Sequence, residues 1–317
     1  MYAIKQPNNI IFGKNSIDKF NFPPNSLIIT SRGAKSRGWL DHCEFSDYHI
    51  FDKIDPNPSV EIVDEIISDF KNSNFSHIIG LGGGSSLDVS KFVAFKLKKF
   101  KILIPTTFGT GSEVTRISVL KVNGKKQSFH DDGLFADVAI IDPQFLENSP
   151  EDVIKNSATD ALAQCSEAYD SKISNLYTKF LCKKAFDVLE NGITNKKYDE
   201  LAMGSLYCGL GFGNSSTTLG HALSYVFSNE GISHGHALAF TTAIAHKFNN
   251  SIFYERFFNI VKKLNFKKIF LKQNLAGAAE LILSDKKHLD NNPSEISKND
   301  LIFLLEKIND GSVLAKM

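Results

Sequence analysis

The chain has 317 residues, 42% hydrophobic and 22% charged, with a formal net charge of +1, a globular composition long enough for one large domain or two medium ones. This balance offers no basic stripe for nucleic acid or an anionic membrane, and the lysines of "KLKKFK" (96–101) read as solvated faces. No apolar run reaches the roughly 18 residues of a membrane span, "MYAIKQPNNIIFG" lacks the pattern of a secretory leader, and four scattered cysteines without a CxxC argue against a disulfide framework or a cysteine zinc site, so a reducing cytoplasm is expected.

In the first half, strand-like and helix-like segments alternate. "SLIIT" (26–30) is a short β-branched strand. "DPNPSVEIVDEIISDFKN" (55–72) opens on turn residues, with Ser59 as N-cap and Val60, Val63, Ile66, Ile67 and Phe70 as a helical stripe. "HIIGLGGGSS" (77–86) is a strand running into a glycine turn, "LDVSKFVAFKLKK" (87–99) a helix and "KILIPTT" (101–107) a buried strand. This order predicts a parallel sheet with helices on both faces. Asn123-Gly124, between the strand-like halves of "RISVLKVNGKKQSFH" (116–130), signals a type I′ hairpin, and "DVAIIDP" (137–143) is one more strand.

From about residue 149 strand signals vanish. Amphipathic stretches follow at 151–170, 172–191, 198–211, 215–229, 235–249, 251–264 and 297–308. The expected architecture is an α/β domain over 1–148 and an all-α domain over 149–317. Residues 265–317 carry no readable motif.

Three places carry chemistry. The glycine turn holds Gly80, Gly82, Gly83 and Gly84, then Ser85 and Asp88 at the S-x-x-D spacing of a capping box. Glycine lets a backbone approach a ligand closely, and a helix N-terminus presents free N–H groups to phosphate. A pyrophosphate cradle is the functional reading and a plain tight turn the competing one, since neither G-x-G-x-x-G nor a P-loop is present. In "NSATDALAQCSEAYDS" (156–171), Asp160 and Gln164 share a helix face among alanines, where a carboxylate needs a partner or a metal. "TTLGHALSYVFSNEGISHGHALAF" (217–240) holds three of the nine histidines, His221, His234 and His236, with Tyr225 one turn past His221. Asp, His and a neutral amide form an O/N donor set that suits Fe2+ or Zn2+.

The motifs "DPNPS", "IIGLGGGSSLDVSK", "IPTTFGTGSEVT", "LFADVAIIDP", "TDALAQCSEAY" and "HALSYVFSNEGISHGHALA" stand in this order over most of residues 1–250. With them the chain resembles the iron-containing (group III) alcohol dehydrogenase family. The resemblance implies a dinucleotide-binding α/β domain, a helical metal domain and an active site in the cleft between them. It implies Gly82, Gly83, Gly84, Ser85 and Asp88 around the cofactor pyrophosphate and Thr106, Thr107 and Thr110 along the nucleotide. Asp160, His221 and His234 would hold the metal, with Gln164 as a weaker amide ligand where the family usually has histidine. Tyr225 stands where the family commonly has a second histidine, and the chain is shorter than usual after residue 250.

Gln164 together with the histidine stretch is most similar to the phosphonoacetaldehyde reductase branch, which makes 2-hydroxyethylphosphonate. Succinic and malonic semialdehyde reductases are the rivals within the family. A non-redox dehydroquinate-synthase-like enzyme and an inactive binding homologue are the rivals outside it. The implied chemistry is hydride transfer to a short anionic aldehyde, with Tyr225 or His236 relaying the alkoxide's proton. Ser31-Arg32 after "LIIT" offers no acid for a ribose 2′-hydroxyl, so NADPH is expected, with NADH the alternative. Arg116 is the candidate cation for the anionic tail, with a solvated hairpin arginine as the competing reading. Fe2+ is expected over Zn2+, and a homodimer is the expected assembly.

Overall fold

The structure is a computed structural model that describes residues 1–314. It comprises two units, one of Lys5–Pro150 and one of the chain from Glu151 onward with Met1–Ile4.

The first unit runs β1 (Asn9–Phe12), β2 (Ser26–Thr30), α1 (Gly33–Ser36), α2 (Trp39–His42), β3 (Tyr48–Phe51), α3 (Glu61–Asp69), β4 (His77–Gly82), α4 (Gly84–Leu97), β5 (Phe100–Pro105), β6 (Ile117–Val122), β7 (Lys125–His130) and β8 (Val138–Ile141). Six strands form one parallel sheet in the order β1-β8-β5-β4-β2-β3. The two-residue period of a strand sends alternate side chains to opposite faces. Leu27, Ile29 and Ile78 pack with Val63, Ile66, Val89 and Val93 of α3 and α4. Ile28, Ile79, Leu81, Ile102 and Ile104 face a second core with Ile17, Cys43 and Phe145. With both faces covered, the central strands read as unbroken apolar runs. The edge strands β1 and β3, four residues each and half-exposed, lack that signature and are missing from the sequence reading.

Asn123 (φ 51°) and Gly124 (φ 76°) are both left-handed, as a type I′ turn requires, and join β6 to antiparallel β7. Ser59 is not an N-cap. α3 starts at Glu61, and the backbone of 58–60 is bonded to β6 through Val60 N to Lys121 O (2.9 Å) and Lys121 N to Pro58 O (2.8 Å).

The second unit is helical: α5 (Glu151–Asp170), α6 (Leu176–Asn195), α7 (Tyr198–Phe212), α8 (Leu219–Asn229), α9 (His234–Phe248), α10 (Tyr254–Leu264), α11 (Leu275–Leu283), α12 (Lys286–Leu289) and α13 (Lys298–Asn309). α5 is buried without a break from Ala158 to Ala168 and packs against α6, α7, α8, α9 and α10. Its alanines keep those neighbours close, and its polar residues must therefore be satisfied inside the bundle. α11 and α12 fall in the segment without motifs; both pack on α8. Among the described residues no helix is long and apolar enough to cross a membrane.

Candidate metal centre and nucleotide cradle

α5, α8 and α9 bring Asp160, His221 and His234 together, with one donor atom of each within 4.8 Å of the others. His221 Nε2 and His234 Nε2 each lie 3.7 Å from Asp160 Oδ1. Seven residues after Asp160, Glu167 lies two turns along the same helix and takes His221 Nδ1 at 2.5 Å. Glu167 also accepts the backbone N–H groups of Thr218 (3.1 Å) and Gly220 (2.5 Å), which pins the start of α8 to α5. With Nδ1 committed, His221 turns Nε2 inward, where it is buried without a hydrogen-bond partner. An unpaired buried polar atom costs about 1–3 kcal/mol; a cation here removes that cost.

Electrostatics point the same way. Burial pushes the Asp160 carboxyl up, but His234, His221 and Gln164 outweigh it and hold it below the usual carboxylate range. Burial opposes ionisation of Glu167 too, yet His221 above all holds it at about 2. Burial would lower His221, while Glu167 and Asp160 raise it to about 9. Two buried carboxylates thus demand positive charge between them, as proton or as metal.

Gln164 is hydrogen-bonded to Asp160 in this arrangement. Its Nε2 donates to Asp160 Oδ1 at 2.9 Å, and its Oε1 faces the Cys208 thiol at 3.6 Å. The group turned toward the centre is the amide donor, which orients the carboxylate. His236 is turned away from the centre. Two residues past His234 it points about 200° around α9. There its ring stacks on Phe266 (5.0 Å, 29°) and Nε2 meets Lys267 O at 2.6 Å. Tyr225 does belong to the centre, its ring 6.1 Å from His234 and 13° from parallel. Burial, with Asp285 and Asp160 nearby, pushes its phenol above the ordinary range.

Besides Glu167, a pair of site residues is missing from the sequence reading: Asp285 and His288, joined Oδ2 to Nδ1 at 2.7 Å. The His288 ring is parallel to His221 within 11° at 6.3 Å, and edge-on to Tyr225 at 5.5 Å. Glu167 was legible as a third acid-or-amide position on the Asp160 face. Nothing local marks His288.

In the first unit the glycine turn ends β4. Gly83 is the N-cap of α4, with no side-chain cap, so the Ser85–Asp88 capping box does not form. Gly82 (φ 149°) lies in the region glycine favours. A Cβ would come within 3.1 Å of Thr107 Oγ1 at Gly83 and within 2.8 Å of the Thr110 side chain at Gly84. The lack of side chains at Gly83 and Gly84 thus lets the loop after β5 lie close over the turn. Gly83, Gly84, Ser85, Thr107 and Thr110 are partly exposed, with Gly82 and Thr106 buried beneath them. Thr106 N donates to Gly82 O at 3.0 Å, while the Thr106 hydroxyl is buried without a partner. Thr110 Oγ1 accepts Ser112 N at 3.3 Å.

Asp88 is committed elsewhere: its carboxylate accepts Ser112 Oγ (2.6 Å) and Val119 N (3.0 Å) and lies 3.2 Å from the buried Lys91 ammonium. It fastens the loop and β6 to α4. Ser31 directly follows β2, whose Thr30 pairs with Leu81 of β4, so it sits at the same end of the sheet as the glycine turn. Arg32 reaches the exposed Asp55 at 4.0 Å. Arg116 is a hairpin surface arginine. It donates to Asp132 Oδ1 at 2.8 Å, and Lys5 takes the other oxygen at 2.5 Å.

Two family models match the chain. One described as iron-containing alcohol dehydrogenase matches residues 7–143, and one described as the C-terminal part of the Fe-containing alcohol dehydrogenase family matches residues 155–284. The 4-hydroxybutyrate dehydrogenase of Clostridium kluyveri is 34% identical over 209 residues, 57% of this chain and 56% of that protein. The long-chain-alcohol dehydrogenase 1 of Geobacillus thermodenitrificans is 34% identical over 221 residues, 60% of this chain and 56% of that one. The chain thus spans little more than half the length of these curated relatives. Among solved structures, sulfoacetaldehyde reductase from Bifidobacterium kashiwanohense in complex with NAD+ superposes with a TM-score of 0.87 at 22% identity, covering 100% of both chains. An iron-containing alcohol dehydrogenase from Thermotoga maritima gives a TM-score of 0.87 at 24% identity, over 98% of this chain and 100% of that one.

Proposed function

The chain belongs to the iron-containing alcohol dehydrogenase family, and from that premise we propose that it reduces a short aldehyde with an anionic tail to the alcohol, using a divalent metal and a nicotinamide cofactor. The observation that carries this reading is the orphaned, carboxylate-braced His221 Nε2 facing Asp160 and His234. Asp160, His221 and His234 would hold the ion, Fe2+ with Zn2+ as the competitor, since O and N donors suit both. Such an ion would supply Lewis-acid polarisation of a carbonyl oxygen. The reduced nicotinamide supplies the hydride.

The chain's own residues do the rest. Glu167 fixes the His221 tautomer, with Nδ1–H on the carboxylate and the lone pair on Nε2. Gln164 holds Asp160 in one orientation. Tyr225, with its phenol pKa raised, keeps its proton at neutral pH and stays a donor beside His234. In the other unit, the amides of Gly83, Gly84 and Ser85 at the N-terminus of α4 suit a pyrophosphate, and Thr106, Thr107 and Thr110 line the loop above them.

Two similar proteins are named for short substrates with an anionic end, 4-hydroxybutyrate and sulfoacetaldehyde. Phosphonoacetaldehyde, going to 2-hydroxyethylphosphonate, remains the specific reading. Succinic and malonic semialdehyde compete with it, and sulfoacetaldehyde joins them. Ser31 in place of an acid, with Arg32 next to it, favours NADPH. The similar sulfoacetaldehyde reductase holds NAD+, so NADH is the rival. The test is oxidation of NADPH or NADH by metal-loaded protein with these four aldehydes side by side. Turnover of at least one, abolished by a chelator and restored by Fe2+ or Zn2+, is expected. No turnover of any short aldehyde with metal bound rejects the reading.

A further inference from the structure

α12 has no motif, yet it supplies a wall of the metal centre. Asp285 is its N-cap and accepts the His288 backbone N–H at 3.4 Å and the His288 Nδ1 at 2.7 Å. One carboxylate therefore fixes both the helix start and the ring. The His288 side chain is buried, at 5% exposure, in a unit whose other two wholly buried histidines are His221 and His246.

Four rings form a closed cycle of neighbours. His221 meets His234 at 5.4 Å, His234 meets Tyr225 at 6.1 Å, Tyr225 meets His288 at 5.5 Å, and His288 meets His221 at 6.3 Å. Two of the four are candidate metal ligands. His288 stands outside the group whose donor atoms lie within 4.8 Å of one another. Donors bound at about 2.0–2.2 Å from one ion are closer together than that limit, so His288 is misplaced for a ligand. It is well placed for a small molecule resting against the ion. With Nδ1 committed to Asp285, Nε2 is the polar atom of the ring left for such a molecule. The same carboxylate bracing is seen at His221 through Glu167, and it keeps an imidazole oriented at one spot.

We propose that His288 is a substrate-contacting residue, whose Nε2 accepts the hydroxyl hydrogen of the short alcohol and, as imidazolium, donates that proton to the reacting oxygen of the aldehyde, and that Asp285 is its positioning residue. This rests on the reductase reading above. It gives α12 a contact at the reacting end of the substrate, distinct from the anionic tail for which the sequence offers Arg116.

The test compares wild type, His288→Ala, His288→Gln and Asp285→Asn, each loaded with metal. Three readouts are bound metal per chain, kcat and KM with the preferred aldehyde, and the visible spectrum of the Co2+-loaded protein titrated with the product alcohol. His288→Ala should keep its metal and lose about 100-fold in kcat/KM, the size of one lost transition-state hydrogen bond. Its Co2+ spectrum should need at least about tenfold more alcohol to respond. His288→Gln, which keeps a hydrogen-bonding side chain, should recover part of the loss, and Asp285→Asn should fall between.

Loss of bound metal in His288→Ala or His288→Gln would overturn the proposal by making His288 a ligand. So would kcat/KM within about threefold of wild type in both variants, less than 1 kcal/mol by conversion. If His288→Ala does not fold, His288→Gln and Asp285→Asn carry the comparison alone. A metal-loaded wild type that neither turns over an aldehyde nor responds to an alcohol would reject the reductase reading itself, and this proposal with it.

Discussion

Gly235→Ala tests whether the metal centre depends on close helix contact. A Cβ at Gly235 would stand 2.0 Å from Asn156 O, 2.6 Å from Asn156 C and 2.8 Å from Asn156 Cα. These are backbone atoms of α5, one turn before Asp160, and Gly235 is the neighbour of His234. No side chain can swing aside to make room. An aliphatic carbon meets a carbonyl oxygen at about 3.3 Å or more, so the start of α9 must retreat by about 1.3 Å. Metal–ligand distances tolerate about 0.2 Å, and a binding constellation about 0.5 Å. The retreat exceeds both, so metal affinity should fall by at least about 100-fold. Overpacking should also cost about 1–3 kcal/mol, or roughly 2–12 °C in the Tm of the metal-free protein. Gly277→Ala is the control. Its Cβ meets nothing within 4 Å, and it lies on α11. There alanine should stabilise by about 0.5–1 kcal/mol and leave the metal alone. Bound metal per chain after dialysis against graded chelator, with thermal melts, reads both effects. A Gly235→Ala titration that overlays wild type would refute the claim that this contact sets the ligand geometry.

Glu167→Ala frees His221 Nδ1, so metal affinity should drop about 10- to 100-fold in a competition titration; an unchanged affinity would mean that the bracing is idle. Burial raises Glu113 from an ordinary 4.5 to about 7. Between those values the folded state holds a proton that the unfolded state has released, so stability falls as pH rises across that window, by about 3 kcal/mol in all. Glu113→Gln should remove this share of the slope, and urea melts of the two proteins that stay parallel from pH 4.5 to 8 would contradict the burial argument. Arg116→Ala should leave kcat/KM within about twofold, because an exposed ion pair contributes about 0–1 kcal/mol and no substrate contact is lost; a large rise in KM confined to anionic aldehydes would return Arg116 to the site.

The parts of the fold written in short-range chemistry were legible from the sequence. "SLIIT" and "HIIGLG" are strands because β-branched runs bury both faces, Asn123-Gly124 turns the hairpin, and the glycines after β4 allow a close loop. Among the long helices α10 has the clearest 3.6-residue period, while α7 and α9 are buried nearly all round and show little of it. Asp160, His221 and His234 could be named as candidates because their residue types are costly to bury unpaired.

What each polar group pairs with was not legible, because partners distant in sequence meet only after the helices pack. Asp88 looked like part of a phosphate turn and instead ties α4 to the loop and β6. Gln164 looked like a ligand and turns a donor toward Asp160. Arg116 found Asp132. Glu167 and His221 are 54 residues apart, and His288 reaches the same centre from a four-residue helix without periodicity. Local pattern determines which residues are helical or extended and which faces are apolar. The direction of a buried hydrogen bond is decided by which donor and acceptor the packed backbone brings within 3 Å or so, and only the tertiary structure sets that.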